Sequence, residues 1–166
     1  VINEDGKDIL PGEVGEIIVK GDIVMKGYWK RPEATAEVIH NGYLYTGDMA
    51  TVDEKGYIYT VDRKKDVIVS GDNKIYSKEI EEAIYTCSSV AEAAVIGISD
   101  PELGESVKAV VVLKEGSEVN ENEIIDVCKR NLASYKVPKS VDFVDKLPRN
   151  PTGKILKRAL RAKYEA

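Results

Sequence analysis

Residues 59–71 read YTVDRKKDVIVSG, a charged segment enclosed by two strand-like runs. The first run, Tyr57–Val61, is aromatic and β-branched and leads directly into Asp62–Asp66. The second run, Val67–Val69, ends at a Ser-Gly pair. A tight hairpin turn normally has Gly or Asn at positive φ, and this connection has neither. Taken alone, the segment indicates either a solvated charged loop or a connection with a special role.

Two further motifs lie on either side of this segment. Upstream, a strand-like run ends in Thr46-Gly47-Asp48, and far downstream residues 148–154 read PRNPTGK. A carboxylate at a strand end can accept both hydrogen bonds of a vicinal diol such as ribose, but an aspartate that caps its own turn is the simpler explanation. Thr-Gly-Lys is commonly a turn before a helix, and it is not a P-loop because no glycine-rich run precedes it.

In their order and spacing, the three motifs resemble the carboxy-terminal part of the adenylate-forming enzymes. This superfamily contains acyl-CoA synthetases, luciferases and the adenylation domains of peptide synthetases. The resemblance extends over nearly the whole chain, from GEVGEI at residues 12–17 through GYW at 27–29 and PEAT at 32–35 to Leu160-Arg161.

The resemblance implies a division of the chain into three parts. Residues 1–61 would be the carboxy-terminal tail of a large amino-terminal domain, residues 62–66 a hinge, and residues 67–166 a mobile lid domain. For the lid, the order of strands and helices predicts an α+β fold with a mostly antiparallel three-stranded sheet packed by helices, behind a β-rich tail. The chain opens on Val1 in a turn-rich segment, so we interpret it as a piece of a longer protein.

Local patterns predict the individual elements. Strands are predicted at Glu16–Lys20, Ile23–Met25, Tyr57–Val61, Val90–Ile98, Ser106–Lys114 and Val141–Val144, with a small two-stranded element at residues 67–76. Helices are predicted at Pro32–Val38, at Lys78–Tyr85 behind an N-cap at Ser77, and after a capping box formed by Asn120 and Glu123. Thr152 is predicted to cap a final helix.

Composition and charge narrow the classes of function. Apolar residues make up 43% and charged residues 32% of the 166-residue chain, as in ordinary globular proteins. The net charge of -5 argues against a general nucleic-acid binder. The segment from Lys136 to Ala166 holds nine basic residues against three acidic ones. Because no aromatic residues alternate with these charges, we interpret the segment as a surface for the polyphosphates of ATP and CoA.

The numbers of cysteines and histidines argue against a zinc site and favour a reducing cellular compartment. Cys87 and Cys128 form no C-x-x-C pair, and His40 is the single histidine, so a metal site has too few ligands. Two isolated cysteines fit a reducing, cytoplasmic location. The sequence contains no apolar run long enough to span a bilayer and no signal peptide.

The resemblance assigns roles on the nucleotide side of the site. Asp48 matches the aspartate that holds the 2′- and 3′-hydroxyls of ATP and of the acyl-adenylate. Arg63 matches an arginine on the ribose and phosphate side. Lys154 matches the catalytic lysine that contacts the carboxylate and the α-phosphate during adenylation. Lys65 occupies the hinge position.

The resemblance also assigns a tunnel for the pantetheine arm of CoA. Gly71 would line it, because a side chain there would narrow the channel; relatives often carry a second glycine where this chain has Asp72. Tyr135 would stack on the adenine of CoA, although structural packing explains this residue equally well. In the related enzymes a basic residue lies two places after this tyrosine, but this chain has Val137 there. Lys136 or Lys139 would therefore have to meet the CoA phosphates.

These roles imply an AMP-forming acyl-CoA synthetase. It would convert a fatty or aryl carboxylic acid and ATP into acyl-AMP and then acyl-CoA, with Mg²⁺ bound to ATP and not to ligands from this segment. The fragment alone is predicted to be inactive, because the acyl pocket lies in the missing amino-terminal domain. Without that domain, the sequence does not determine which acyl chain the enzyme accepts. The alternatives are an adenylation domain that loads a carrier protein and a catalytically silent interaction module with the lid fold.

Lys154 is also a candidate for modification. It is predicted to be exposed on a glycine-containing turn, and related acyl-CoA synthetases are switched off by acetylation at the matching lysine. The resemblance therefore implies a protein acetyltransferase as a partner. The alternative is slow, nonspecific acetylation of several lysines in the segment, with little effect.

Overall fold

In the computed structural model, which describes residues 1–165, the chain divides into two units at the junction of Lys65 and Asp66. Each unit has a sheet of its own. The elements of the first unit are β1 (Val14–Val19), α1 (Pro32–Val38), β2 (Ile39–His40), β3 (Tyr43–Val52) and β4 (Ile58–Arg63). The central strand is β3, which pairs antiparallel with the other three strands.

Local sequence explains the shape of the first unit. Pro32 occupies the start of α1, where its missing N–H costs nothing. Asn41 and Gly42 join β2 to β3 at φ values of 52° and 78°, the positive φ pair that a two-residue hairpin requires. The strand predicted at Ile23–Met25 was wrong. Ile23 and Val24 lie in a turn closed by a bond from the Val24 N–H to the Gly21 carbonyl, and Met25 follows it outside any strand, because these three apolar residues have no partner strand to pair with.

The second unit is an α+β domain. Its elements are β5 (Ile68–Ser70), β6 (Asn73–Ile75), α2 (Ser77–Tyr85), β7 (Val90–Asp100), β8 (Gly104–Leu113), α3 (Glu121–Asn131), β9 (Ser140–Phe143) and α4 (Lys157–Tyr164). The sheet order is β6-β5-β8-β7, and β9 pairs with β8 in parallel while every other pairing is antiparallel. The predicted α+β class and mostly antiparallel sheet are confirmed. The sheet has five strands and not three, because the β5–β6 hairpin joins it where Ser70 pairs with Gly104.

The sheet of the second unit is buried on both faces. Along β7, Ala93 and Val95 face the cluster that contains the buried residues of α2 and α3, whereas Ala94 and Ile96 face the cluster that contains Leu160 of α4. Strands covered on both faces read as continuous apolar runs, which explains the sequences of β7 and β8.

One predicted helix cap is present and two are not. The Asn120 side chain accepts the Glu123 N–H while the Glu123 carboxylate accepts the Asn120 N–H, which is the predicted capping box of α3. Ser77 is the first residue of α2 and not its cap, and its hydroxyl accepts a hydrogen bond of 2.6 Å from the Lys157 ammonium. Thr152 does not cap α4, which begins five residues later; its hydroxyl donates to the Asn150 side chain.

The helices found in residues 1–165 are all too short or too polar to cross a membrane.

Candidate functional site

Asp48 and Arg63 meet on the first unit. They are direct partners in the register of β3 and β4, and the Arg63 Nε lies 3.1 Å from the Asp48 Oδ1. Both side chains are partly exposed, at 37% for Asp48 and 52% for Arg63. An exposed ion pair contributes little to stability. Both groups therefore remain accessible to a ligand that offers hydroxyls to the carboxylate and anionic oxygens to the guanidinium.

The strand predicted to end in a turn at Thr46-Gly47-Asp48 continues through these residues as β3, with an irregularity at Gly47 directly before Asp48. Gly47 has a φ of 71° and donates its N–H to the Glu16 Oε1 at 3.0 Å. The Thr46 hydroxyl donates to the Ile17 carbonyl at 2.8 Å and accepts the Asp48 N–H at 3.0 Å. The register of β1 and β3 shifts at this point, between Glu16 and Ile18. Such an irregularity redirects the side chains that follow it, which here are those of the predicted ribose site.

A cavity of about 760 Å³ lies beside this part of β3 within the first unit. Thr46, Gly47 and Arg63 contribute to its wall, together with Tyr45. Its volume falls within the range of small-molecule sites. The predicted nucleotide residue Arg63 therefore borders a concave surface, as a binding role requires.

Lys154 stands on an ordered loop of the second unit. The Asn150 Oδ1 accepts three hydrogen bonds, from the Thr152 N–H at 3.0 Å, the Thr152 hydroxyl at 2.8 Å and the Lys154 N–H at 2.8 Å. The Lys154 carbonyl in turn accepts the Asn150 N–H at 2.9 Å. Within residues 1–165 the Lys154 ammonium has no hydrogen-bond or ion-pair partner, and the residue is exposed. The loop thus presents a free cation on a fixed backbone.

Arg149 fastens this loop to the sheet. Its guanidinium donates to the Gly153 carbonyl and pairs with the Glu92 carboxylate of β7 at 2.8 Å. Neither Arg149 nor Asn150 was identified from the sequence as a functional residue. For Asn150 a signal existed, since asparagine commonly organises a turn through its own side chain.

Gly71 has a local explanation in addition to the predicted one. It adopts a φ of 56° in the turn between β5 and β6, and its N–H donates to the Leu103 carbonyl at 2.8 Å. A Cβ there would lie 3.7 Å from the Leu103 Cδ2, an ordinary contact. The backbone conformation is therefore sufficient reason for glycine at this position.

The basic residues predicted to meet CoA are engaged within the second unit. The Lys136 ammonium lies 2.7 Å from both oxygens of Glu79, and the Lys139 ammonium lies 2.8 Å from the Asp100 Oδ2. Hydrogen bonding from Lys139 holds the pKa of Asp100 at about 2, below its ordinary value of 3.8. Tyr135 is 48% exposed, so its ring is accessible for stacking. A phosphate would have to replace a carboxylate at either lysine.

No group of three or more His, Cys, Asp or Glu side chains within residues 1–165 has a metal-binding arrangement.

Comparison with known proteins identifies the class. Residues 79–154 match the family model of the AMP-binding enzyme C-terminal domain. The chain is 51% identical to a feruloyl-CoA synthase of Amycolatopsis sp over 159 residues, 96% of this chain and 32% of that protein. It is 49% identical to a long-chain-fatty-acid–CoA ligase of Bacillus subtilis over 157 residues, 95% of this chain and 28% of that protein.

Two solved structures of similar proteins indicate the same class. ATP-bound MatB from Rhodopseudomonas palustris superposes with a TM-score of 0.91 at 41% identity, over 98% of this chain and 33% of that one. The o-succinylbenzoate CoA synthetase of Bacillus subtilis, in complex with an acyl-adenylate, gives 0.89 at 41% identity, over 96% of this chain and 33% of that one.

The chain belongs to the adenylate-forming enzymes, as a carboxy-terminal AMP-binding-enzyme domain of the acyl-CoA synthetase kind. It spans about a third of the length of the curated relatives it matches. The relatives named above are acid–thiol ligases, and the recognition made from the sequence is confirmed.

Proposed function

We propose that the protein to which this chain belongs is an AMP-forming acyl-CoA synthetase acting on a fatty or aryl acid. The observation that carries this proposal is the free, exposed ammonium of Lys154 on a loop whose backbone is held by Asn150. A preorganised cation of this kind stabilises charge that develops in a transition state.

In the first half-reaction a carboxylate oxygen attacks the α-phosphorus of ATP, and pyrophosphate leaves with the bonding electrons. Lys154 stabilises the negative charge at the α-phosphate and orients the attacking carboxylate. Asp48 accepts hydrogen bonds from the two ribose hydroxyls, and Arg63 contacts the ribose and phosphate side of the nucleotide. The Asp48–Arg63 pair, at 3.1 Å, supports these two roles because it places carboxylate and guanidinium side by side.

In the second half-reaction the thiol of CoA attacks the acyl carbonyl and AMP leaves. We propose residues 1–61 as the tail of a large domain, residues 62–66 as the hinge and residues 67–166 as a lid. Rotation about Lys65 then withdraws Lys154 and brings the Gly71 turn to the pantetheine arm. Tyr135 and Lys136 bind CoA, with Lys136 exchanging Glu79 for a phosphate.

The proposed partners are ATP, CoA, the carboxylic acid and the remainder of the amino-terminal domain. Mg²⁺ arrives with ATP and derives no ligands from the described residues. The exposure of Lys154 also suits modification by a protein acetyltransferase. A carrier protein in place of CoA is the alternative acceptor, and the relatives that form CoA thioesters favour CoA.

The test compares Lys154→Ala with wild type in the full-length protein. Acyl-AMP formation, measured as pyrophosphate release, is expected to fall by on the order of a hundredfold or more, because a charge at the phosphate is lost. Thioester formation from supplied acyl-AMP is expected to be largely retained. Lys146→Ala removes an exposed lysine outside the loop and is the matched control. The 166-residue chain by itself is expected to release no pyrophosphate above background. Equal losses in both half-reactions would contradict the proposal.

A further inference from the structure

The residue before Lys65 is held to the first unit. The Lys64 ammonium lies 2.8 Å from the Glu16 Oε2; the Lys64 side chain is 62% exposed, whereas that of Glu16 is 9% exposed and would lose a charge partner in a poorly solvated place. The other oxygen of Glu16 accepts the Gly47 N–H at 3.0 Å. Both carboxylate oxygens are therefore used, one by the residue before Lys65 and one by the β3 residue before Asp48.

The residue after Lys65 is held to the second unit. The Asp66 Oδ1 lies 3.1 Å from the Arg161 Nη1, and these side chains are 12% and 20% exposed. Arg161 belongs to α4, whose Leu160 is buried at 3% exposure against the sheet. Two residues beyond Asp66, Ile68 is fully buried in the same unit. The chain is thus fixed to the second unit from Asp66 onward.

Lys65 differs from both neighbours. Its side chain is exposed and has no hydrogen bond or ion pair within residues 1–165. A rotation that pulls Asp66 from its unit would leave the Arg161 guanidinium, which is only 20% exposed, without its counter-charge, and this cost disfavours such a rotation. The torsions of Lys65 are the ones that can change without separating either pair.

We infer that the ion pairs Glu16–Lys64 and Asp66–Arg161 confine rotation between the two units to Lys65, which makes Glu16 and Arg161 positioning residues of the proposed two-step reaction. This inference rests on the proposed function for its effect on catalysis, although the pairs themselves do not. Hinges consist of a few residues that absorb large φ/ψ changes. Here the two ion pairs reduce the number of hinge residues to one. The lid therefore moves between two defined positions and not over a range of orientations.

The experiment uses the full-length protein and the variants Arg161→Gln, Arg161→Lys and Arg158→Gln. Arg161→Gln removes the charge that holds Asp66, whereas Arg161→Lys keeps a cation. Arg158 lies in the same helix, is exposed and has no ion pair within residues 1–165, so Arg158→Gln is the matched control. Amide hydrogen exchange over residues 64–68 and both half-reactions are measured for each variant.

Arg161→Gln is expected to accelerate amide exchange at Asp66 and Val67 about tenfold or more, because local opening no longer has to break the pair. The thioester step is expected to slow by about tenfold relative to adenylation, since small misplacements of reacting groups have effects of this size. Arg161→Lys should restore most of the slow amide exchange and most of the thioester rate. Arg158→Gln should match wild type in both measurements.

Unchanged exchange at Asp66 and Val67 in Arg161→Gln, or an equal loss in both half-reactions, overturns the inference. If Arg161→Gln fails to fold, Lys64→Gln decides the question from the other side of Lys65, with faster exchange at Lys64 expected and Lys55→Gln as its control. A wild-type protein that forms no acyl-AMP would refute the proposed function, while the exchange pattern would still test the two ion pairs.

Discussion

At the scale of single residues, Asn150 does more for the candidate site than its neighbours in the PRNPTGK motif. Its side-chain oxygen accepts three hydrogen bonds, two from the backbone of the loop and one from the Thr152 hydroxyl. One of the backbone donors is the N–H of Lys154 itself. The position of the proposed catalytic lysine therefore depends on an amide that contacts no reacting atom in the proposed mechanism.

We expect Asn150→Ala to reduce acyl-AMP formation by the full-length protein by about tenfold or more, because the loop loses the acceptor that fixes Lys154. Asn150→Asp keeps an acceptor oxygen at the same place and should retain most activity. The measurement is the kcat and the KM for ATP in the pyrophosphate-release assay. A positioning effect should appear mainly in kcat; an effect confined to KM would contradict this role.

At the scale of elements, α4 ends in a tyrosine whose hydroxyl is buried. Within residues 1–165 the Tyr164 hydroxyl has no partner with good hydrogen-bond geometry and interacts only weakly with the Asp142 carboxylate, while its ring covers the Lys108 ammonium at 4.6 Å. Burial, reinforced by the nearby Asp142 carboxylate, raises the pKa of Tyr164 from 10 to about 12. The ring stabilises the end of α4, whereas the buried hydroxyl gains little because it forms no well-aligned hydrogen bond.

Tyr164→Phe is expected to leave the free energy of unfolding at pH 7 unchanged or higher by about 1 kcal/mol, because a buried hydroxyl without a well-aligned hydrogen bond is removed. The raised pKa means that the folded state keeps a proton that the unfolded state loses. Stability linked to Tyr164 is therefore complete below pH 10 and lost as the pH rises towards 12, and Tyr164→Phe should remove that loss.

Urea unfolding at pH 7 and pH 10.5 measures both effects. The control is Tyr85→Phe, because the Tyr85 hydroxyl accepts the N–H of buried Ala93 at 3.0 Å and its removal should cost about 1 kcal/mol. A Tyr164→Phe protein less stable than wild type at pH 7 would show that the hydroxyl has a stabilising partner.

At the scale of the whole molecule, the apolar core is distributed unevenly. Among residues 1–165, Ala50 is the only buried apolar residue before Lys65, whereas both core clusters lie in the second unit. The first unit leaves large apolar side chains in water, among them Ile23 at 87% and Trp29 at 85% exposure. The proposed large domain would cover these side chains.

We expect residues 66–166 to fold alone and residues 1–65 not to. The second unit buries a core on both faces of a five-stranded sheet, whereas the first has too little buried apolar area to offset the entropy of ordering its chain. Separate expression followed by circular dichroism and urea unfolding measures this. A cooperative unfolding transition for residues 1–65 would show that the core distribution does not determine stability here.

The sequence by itself determined the elements and the class of protein. Strong local signals, such as the Asn120 capping box and the apolar runs of β7 and β8, act over a few residues and survive without tertiary context. The motifs around Asp48, Arg63 and Lys154 were sufficient for the family. Weak local signals failed, as at Ile23–Met25, because a three-residue apolar run is a strand only where another strand pairs with it.

Only the tertiary structure decided which charges meet. Glu16 and Lys64 lie 48 residues apart, and Asp66 and Arg161 lie 95 residues apart. No periodicity links such pairs, because their contact depends on the register of β1 with β3 and on the face of the sheet that α4 covers. The same reason explains the fifth strand of the second sheet. Its pairing is a long-range contact that the local sequence of β5 and β6 does not specify.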